Sequence, residues 1–192
     1  IEQITEQAVR CQLGAPMPSE SEPPCRITLF QCLPKTGKME TILQKCTELG
    51  ASAFVPVLSA RCVALPVRDV SNKLTRWQRV ALEAAKQSRR GVIPTVERIL
   101  PIDQIDPGAF DLFLFANEEE RAQSAKRVLR ALKGMPRTAA ILIGPEGGFS
   151  AEEADALVRR GATSVTLGKR ILRTETAGMA LMAQLVYELE DA

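Results

Sequence analysis

Two glycine-bearing stretches hold the residues whose types and spacing can do chemistry. The first, "IGPEGGFS" at 143–150, closes the apolar run "AAILIG" and carries one carboxylate, Glu146. Gly144, Gly147 and Gly148 admit backbone shapes that other residues resist, and they let a ligand approach main-chain N–H and C=O groups. Neither a GxxxxGK(S/T) nor a GxGxxG pattern occurs, and the loop holds no Lys or Arg. Glu146 would repel a phosphate, so the loop suits a neutral or positively charged ligand. The purely architectural alternative is a tight strand-to-helix turn. The second stretch, "LGKRILRTETAGMAL" at 167–181, has Gly168 at another strand end. Its Ile171 and Leu172 stand among charged residues. They form either a wall for a flat apolar group, such as a nucleobase, or a segment folded down onto the core.

The rest of the composition narrows the chemistry. The 192 residues include no histidine, which removes Ser-His-Asp and Cys-His catalysis and histidine metal centres. Five cysteines, an odd number without CxxC spacing, fit free thiols in a reducing compartment. Cys32 and Cys46 lie in apolar segments and read as core filler. No apolar run approaches the roughly 20 residues that span a bilayer. The polar start "IEQITEQAVR" is unlike a secretory signal, so a cytoplasmic location without membrane contact is expected. The net charge of +2 is unevenly placed: residues 61–100 carry nine Lys/Arg against three Asp/Glu. Such a segment is a polyanion footprint or a solvated helix face.

The elements that must position these loops alternate regularly. Strands are expected at 26–33, 52–58, 94–100, 110–116, 137–144 and 163–168. Between them, "KMETILQKCTELG" (38–50) places Met39, Ile42, Leu43, Cys46 and Leu49 on one helical face. A loop with Arg61 and Arg68 leads to an amphipathic helix at 72–88, whose buried stripe is Leu74, Trp77, Ala81 and Ala84. Further helices are expected at 119–132, from the Ser150–Glu153 capping box to Gly161, and at 174–190. Alternation of this kind implies an α/β domain with a mainly parallel sheet and helices on both faces. Ligands of such sheets sit outside the carboxyl ends of strands, where "FANEEE", "IGPEGGFS" and "LGKRILRTETA" all lie. Upstream, "LGAPMPSESEPP" reads as a linker, and residues 1–13 as a strand belonging to something else.

"LIGPEGGFSAEE" (142–153) with "LGKRILRTETA" (167–177) resembles the RsmE family of 16S ribosomal RNA uracil-N3 methyltransferases, in the SPOUT superfamily. "LPKTGKMETILQKCTELG" (33–50) and "RWQRVALEAAKQSRR" (76–90) resemble two further segments of the family, in the same order. The resemblance implies a C-terminal trefoil knot, which composition would never indicate because knots are so rare. It implies that S-adenosyl-L-methionine binds, without metal, through largely main-chain contacts. Those contacts fall on Phe115 and Ala116, on Leu142, Gly144, Glu146, Gly147 and Gly148, and on Leu167, Gly168, Ile171, Leu172 and Thr174. It also implies a homodimer with its site near the subunit interface, and an N-terminal PUA-like domain of which residues 1–24 are a remnant and linker, before a methyltransferase domain at 25–192. Two positions depart from the family pattern: Arg89 replaces a Gly within "KQSRR", and Lys169 stands where Pro is frequent.

Methylation of uracil N3 requires a deprotonated nitrogen, oriented in line and stabilised as an anion. Arginine suits the last task, with its permanent charge and fixed donors. Arg173 is the first candidate and Arg90 the second. Glu175 or Glu146 can accept the proton or hold an arginine, and Glu175 can equally favour the last helix through its dipole. Lys35, Lys38, Arg61, Arg76, Arg79 and Arg89 are expected to grip the phosphates of 16S ribosomal RNA or of the small-subunit particle. Phe149 is either a stacking platform or a core plug. Methylation of a ribose 2′-oxygen by the same fold, and a non-catalytic RNA-binding assembly factor, are the alternatives.

Overall fold

The computed structural model describes residues 1–15, 19–35, 37–63 and 70–190. Arg68 and the centre of the expected linker, at 16–18, lie outside the described residues. Seven strands build one sheet: β3 (Arg26–Cys32), β4 (Ala51–Leu58), β5 (Thr95–Val96), β6 (Leu100–Pro101), β7 (Leu112–Ala116), β8 (Thr138–Ile143) and β9 (Thr163–Val165). Every pairing among them is parallel, in the order β5-β4-β3-β8-β7-β9, with β6 also on β4. From Leu29 to Cys32 and from Ala139 to Ile143 each successive residue is buried, so both faces of the central strands are covered.

The covers are α1 (Lys38–Glu48), α2 (Val70–Gln87), α3 (Ala125–Arg130), α4 (Ala151–Arg159) and α5 (Thr174–Leu189). The apolar stripe of α1 is buried as its spacing requires at Met39, Ile42, Leu43 and Cys46, while Leu49 is half-buried at the C-cap, where the helix ends. α1 packs against α2 and α5, while α5 lies on β8 and against α3. Cys25, Cys32, Cys46 and Cys62 are buried free thiols, and Cys11 is exposed.

Three elements differ from the sequence reading. The strand expected at 94–100 divides into β5 and β6, which pair with residues 53–54 and 57–58 of β4. Pro56 lies between those two stretches and has no N–H to give, so the ladder breaks there. The helix expected at 119–132 begins only at Ala125, behind an N-cap at Ser124. The acidic run before it forms turns: Asn117 Oδ1 accepts from the Glu119 amide, and Glu120 Oε1 accepts from the amides of Ala122 and Gln123. Residues 1–13 do not end in one strand. They form a small exposed hairpin, β1 (Gln3–Ile4) with β2 (Val9–Arg10), apart from the main sheet.

One connection embraces another. Asn117, just after β7, donates its amide to the Val165 carbonyl. A few residues on, Gln123 accepts from the Thr166 amide and Ala125 donates to the Thr166 carbonyl. The chain leaving β9 is therefore held on both sides by the segment that leaves β7. Beyond it, Thr174 docks on β3 and β8 through Gln31 and Gly144.

Candidate active site

A cavity of about 300 Å³ opens where the carboxyl ends of β7 and β8 meet residues 166–174, all of which line it. The strand order reverses its sense of connection between β3 and β8, the place where doubly wound sheets open a crevice.

The glycine loop is built from a tight turn, with the Gly148 amide on the Pro145 carbonyl at 3.0 Å. Gly148 has φ +66°, and a Cβ there would lie 2.7 Å from Glu118 Oε1. Only a glycine takes this shape without strain. Three anchors fix the loop from outside. The Arg61 guanidinium donates to the Gly147 carbonyl at 2.8 Å. The Thr174 hydroxyl donates to the Gly144 carbonyl at 2.7 Å, and itself accepts from Gln31 Nε2 at 2.9 Å. Gln31 and Thr174 are both buried, so this short polar chain joins β3, β8 and α5 beneath the cavity. The third anchor is Glu146, which accepts from the Lys35 amide at 3.1 Å and pairs with Lys38 Nζ at 3.1 Å.

Lys38 also pairs with Glu175, at 3.0 Å. One ammonium thus ties the first turn of α1 to the glycine loop and to the first turn of α5. The carboxylates of Glu175 and Glu146 raise the Lys38 pKa. Burial pushes Glu146 up, but backbone donors and Lys38 outweigh it and leave the carboxyl below its ordinary value. Glu175 behaves alike: burial is outweighed by its own amide, by Lys38 and by Arg173. A carboxylate held ionised this firmly is an ion-pair partner; a general base near neutral pH needs its pKa raised.

Charge is segregated around the opening. Glu118 and Glu146 stand on the glycine-loop side, where Lys38 also lines the cavity and is paired with Glu146 and Glu175. Lys169, Arg170 and Arg173 stand on the 166–174 side, with Arg121 on the segment bonded to it. The structure thus pairs a main-chain cradle and carboxylates with a wall of cations. A flat, positively charged molecule fits the first, and an anion the second.

The sequence-expected residues divide accordingly. Ala116, Gly144, Glu146 and Gly148 line the cavity, as do Leu167, Gly168, Ile171, Leu172 and Thr174. Arg173 lines it too, exposed at the N-cap of α5. Phe115 and Leu142 are fully buried behind it. Phe149 is buried and packs its ring edge-on against Phe115 at 5.7 Å, as a core plug does, and it also borders the cavity. Gly147 turns toward Arg61, where a Cβ would come 3.3 Å from the Arg61 Cβ.

Arg90 is not at the cavity. Its side chain is 3% exposed, and it donates to the carbonyls of Thr47 and Ala51 and pairs with Glu22. Those carbonyls lie at the end of α1 and the start of β4, away from the strands' carboxyl ends. Of the cations expected to grip RNA, Lys38 and Arg61 are engaged in shaping the glycine loop, and Arg76 pairs with Glu40. Lys35 contributes its backbone amide, while Arg79 and Arg89 are exposed elsewhere. Arg89 has φ +58°, the left-handed shape that the family's Gly takes without strain. Sequence reasoning missed Gln31, Asn117, Arg121 and Arg170. Gln31 had one visible signal, a lone amide inside an apolar strand run. Among the described residues, no helix is long and apolar enough to cross a membrane, and no cluster of three or more His, Cys, Asp or Glu could hold a metal.

A family model described as an RNA methyltransferase domain matches residues 21–186. The chain is 34% identical to the ribosomal RNA small subunit methyltransferase E of Bacillus subtilis, a match covering 99% of this chain and 77% of that protein. It is 36% identical to the protein of that name in Synechocystis, covering 94% of this chain and 59% of that one. A crystal structure of a ribosomal RNA small subunit methyltransferase E from Neisseria gonorrhoeae, bound to S-adenosyl methionine, superposes with a TM-score of 0.73 at 34% identity. It covers 84% of this chain and 65% of that one.

Proposed function

This chain belongs to the RNA methyltransferase family that includes the ribosomal RNA small subunit methyltransferase E proteins, and on that premise we propose that it methylates N3 of a uracil in 16S ribosomal RNA, using S-adenosyl-L-methionine. The carrying observation is the split of charge across one cavity, with a glycine cradle and carboxylates facing cations on the opposite wall. When bound, S-adenosyl-L-methionine supplies a methyl group already activated on a positively charged sulfur. The residues fit such a molecule. Gly144, Gly148 and Gly168 leave the main chain open, Leu167 and Leu172 offer apolar surface, and Glu118, which is in no ion pair among the described residues, favours a cation.

The chain's own part is to orient and stabilise. Arg173 stands at the lip of the cavity, where its guanidinium can hold a uracil that has lost its N3 proton. Glu175 keeps its charge and lies in the field of Arg173 and Lys38, so it positions cations and leaves the N3 proton to solvent. An unpaired target is required, because pairing blocks N3 and RNA-reading proteins commonly take unstacked bases.

The family model begins at residue 21, and the hairpin β1–β2 lies apart from the sheet, which supports an N-terminal remnant ending near residue 24. The embrace of Thr166 by residues 117–125 supports a trefoil threading of the last third. Tyr187, 80% exposed on α5, supports a homodimer that covers this helix. A cytoplasmic enzyme fits a ribosomal substrate.

Titration calorimetry with S-adenosyl-L-methionine, followed by mass mapping of 16S ribosomal RNA nucleosides from a deletion strain with and without the gene, tests the reading. Cofactor binding and a gene-dependent N3-methyluridine are expected. Restored 2′-O-methylation would move the target to ribose, and a folded protein that binds RNA but no S-adenosyl-L-methionine would leave only an assembly factor.

A further inference from the structure

Of the six cations that the sequence offered for gripping RNA, three, Lys38, Arg61 and Arg76, are engaged within the protein itself. Others stand free at the mouth of the cavity. Arg121, Lys169 and Arg170 all line the opening, all are exposed, and none forms an ion pair among the described residues. They come from two segments, 117–124 and 166–173, that are stitched together by the Thr166 amide on the Gln123 carbonyl and the Ala125 amide on the Thr166 carbonyl. The backbone positions from which they project are therefore held beside one another.

The acidic residues of the same segment do not cancel them evenly. The Glu120 carboxylate is turned onto the amides of Ala122 and Gln123, and Glu118 leans toward Gly148 on the other wall. Glu119 is exposed beside Arg121. Next to Arg170, Ile171 is 80% exposed, an apolar surface at the lip of a charged rim. Cations that alternate with an apolar surface suit a single strand of RNA, whose phosphates take the charges while an unstacked base takes the apolar face. A free nucleotide would need only one phosphate site; a rim of three cations on two segments spans several.

We propose that Arg121, Lys169 and Arg170 form the phosphate track that delivers the target nucleotide to the cavity, holding the single-stranded RNA on either side of it. This rests on the reading of the cavity as a methyl-transfer site on RNA. Lys169 thereby supplies one of the charges of the track.

The test compares the whole chain with the triple variant Arg121→Gln, Lys169→Gln, Arg170→Gln, and with Lys86→Gln as a control on α2. The probe is an unstructured RNA oligonucleotide, titrated across a range of salt without cofactor. Each phosphate left without its cation should lower the slope of log K against log salt by about 0.7, so the triple variant should drop by roughly 2. Cofactor affinity should be unchanged, and in methyl transfer the KM for RNA should rise at least tenfold while kcat stays near wild type. A slope and KM equal to wild type would overturn the track, as would an equal drop in the Lys86→Gln control. Because the slope needs no cofactor, a wild-type chain that shows the track but binds no S-adenosyl-L-methionine would uphold the track and refute the methyl-transfer function.

Discussion

Individual residues at this site are set by two kinds of constraint. Some must be what they are because the backbone demands it. Gly148 combines a left-handed φ of +66° with Glu118 Oε1 only 2.7 Å from where a Cβ would sit. The Glu118 tip can swing aside, so the left-handed φ is the constraint there; Gly147 has no positive φ, and a Cβ on it would stand 3.3 Å from the Arg61 Cβ. Gly148→Ala should therefore cost about 1–2 kcal/mol of stability and weaken S-adenosyl-L-methionine binding at least tenfold by calorimetry, with Gly147→Ala milder on both counts. The reverse order would show that the cradle is centred on Gly147. Other residues matter for charge. Arg173 lines the cavity without capping α5 through its side chain, so its guanidinium is free to face the substrate. Arg173→Ala should keep cofactor affinity and lose at least a hundredfold in methyl transfer at saturating RNA. Unchanged turnover would remove Arg173 from the chemistry. The glycines were legible as a group, but which one is indispensable was not, because φ is decided by the turn they enter.

At the scale of elements, the site is a junction of helix starts. The capping box at α4 holds in both directions, Ser150 with Glu153, and Glu153 also accepts from the Ala60 amide at 2.7 Å. That box was readable from four residues of sequence, because its partners are local. The bridge of Lys38 to Glu146 and Glu175 was not, since it joins residues more than 100 positions apart. Its pH dependence follows from the directions of the shifts. Both carboxyls lie below their ordinary value, so their stabilisation is complete above the usual carboxylate pKa of about 4.3 and is lost as pH falls through the lowered values. Lys38 is raised, so its share is complete below about 10.4 and is lost as pH rises through the raised value. Cofactor affinity should be level between these limits and fall on the acid side. Lys38→Met should weaken it several-fold at pH 7 and move the acid fall upward, toward ordinary carboxylates. An acid limb identical to wild type would show that the bridge does not shape the cradle.

The whole molecule assigns Arg90 a different task from the one its neighbours in sequence implied. Its buried guanidinium joins the segment before β3, through Glu22, to the end of α1 and the start of β4. Glu22 in turn accepts from the amides of Gly91 and Val92. Removing one partner of a buried pair leaves the other uncompensated, so Arg90→Ala should lower unfolding free energy by about 3 kcal/mol. Cofactor affinity and turnover per folded molecule should be preserved, measured by denaturant titration beside the methyl-transfer assay. Normal stability with lost turnover would return Arg90 to the catalytic machinery.

The amino-acid sequence by itself determined the parallel α/β alternation, the buried stripe of α1, the capping box of α4 and the two loops that meet at the cavity. These depend on periodicity and on contacts a few residues apart, which a chain carries locally. It also determined what the chemistry could not be, through the absence of histidine and of any cation in the glycine loop. Tertiary structure alone decided the division of labour among the charges. Lys38, Arg61 and Arg90 became architectural, and Arg121, Lys169 and Arg170 were left at the cavity mouth. It likewise buried Gln31 beneath the site and wrapped residues 117–125 around Thr166. An ion pair or a long-range hydrogen bond leaves no period in the sequence. Whether a charge is spent on the protein or offered to a ligand is known only when the chain has brought its partner to it.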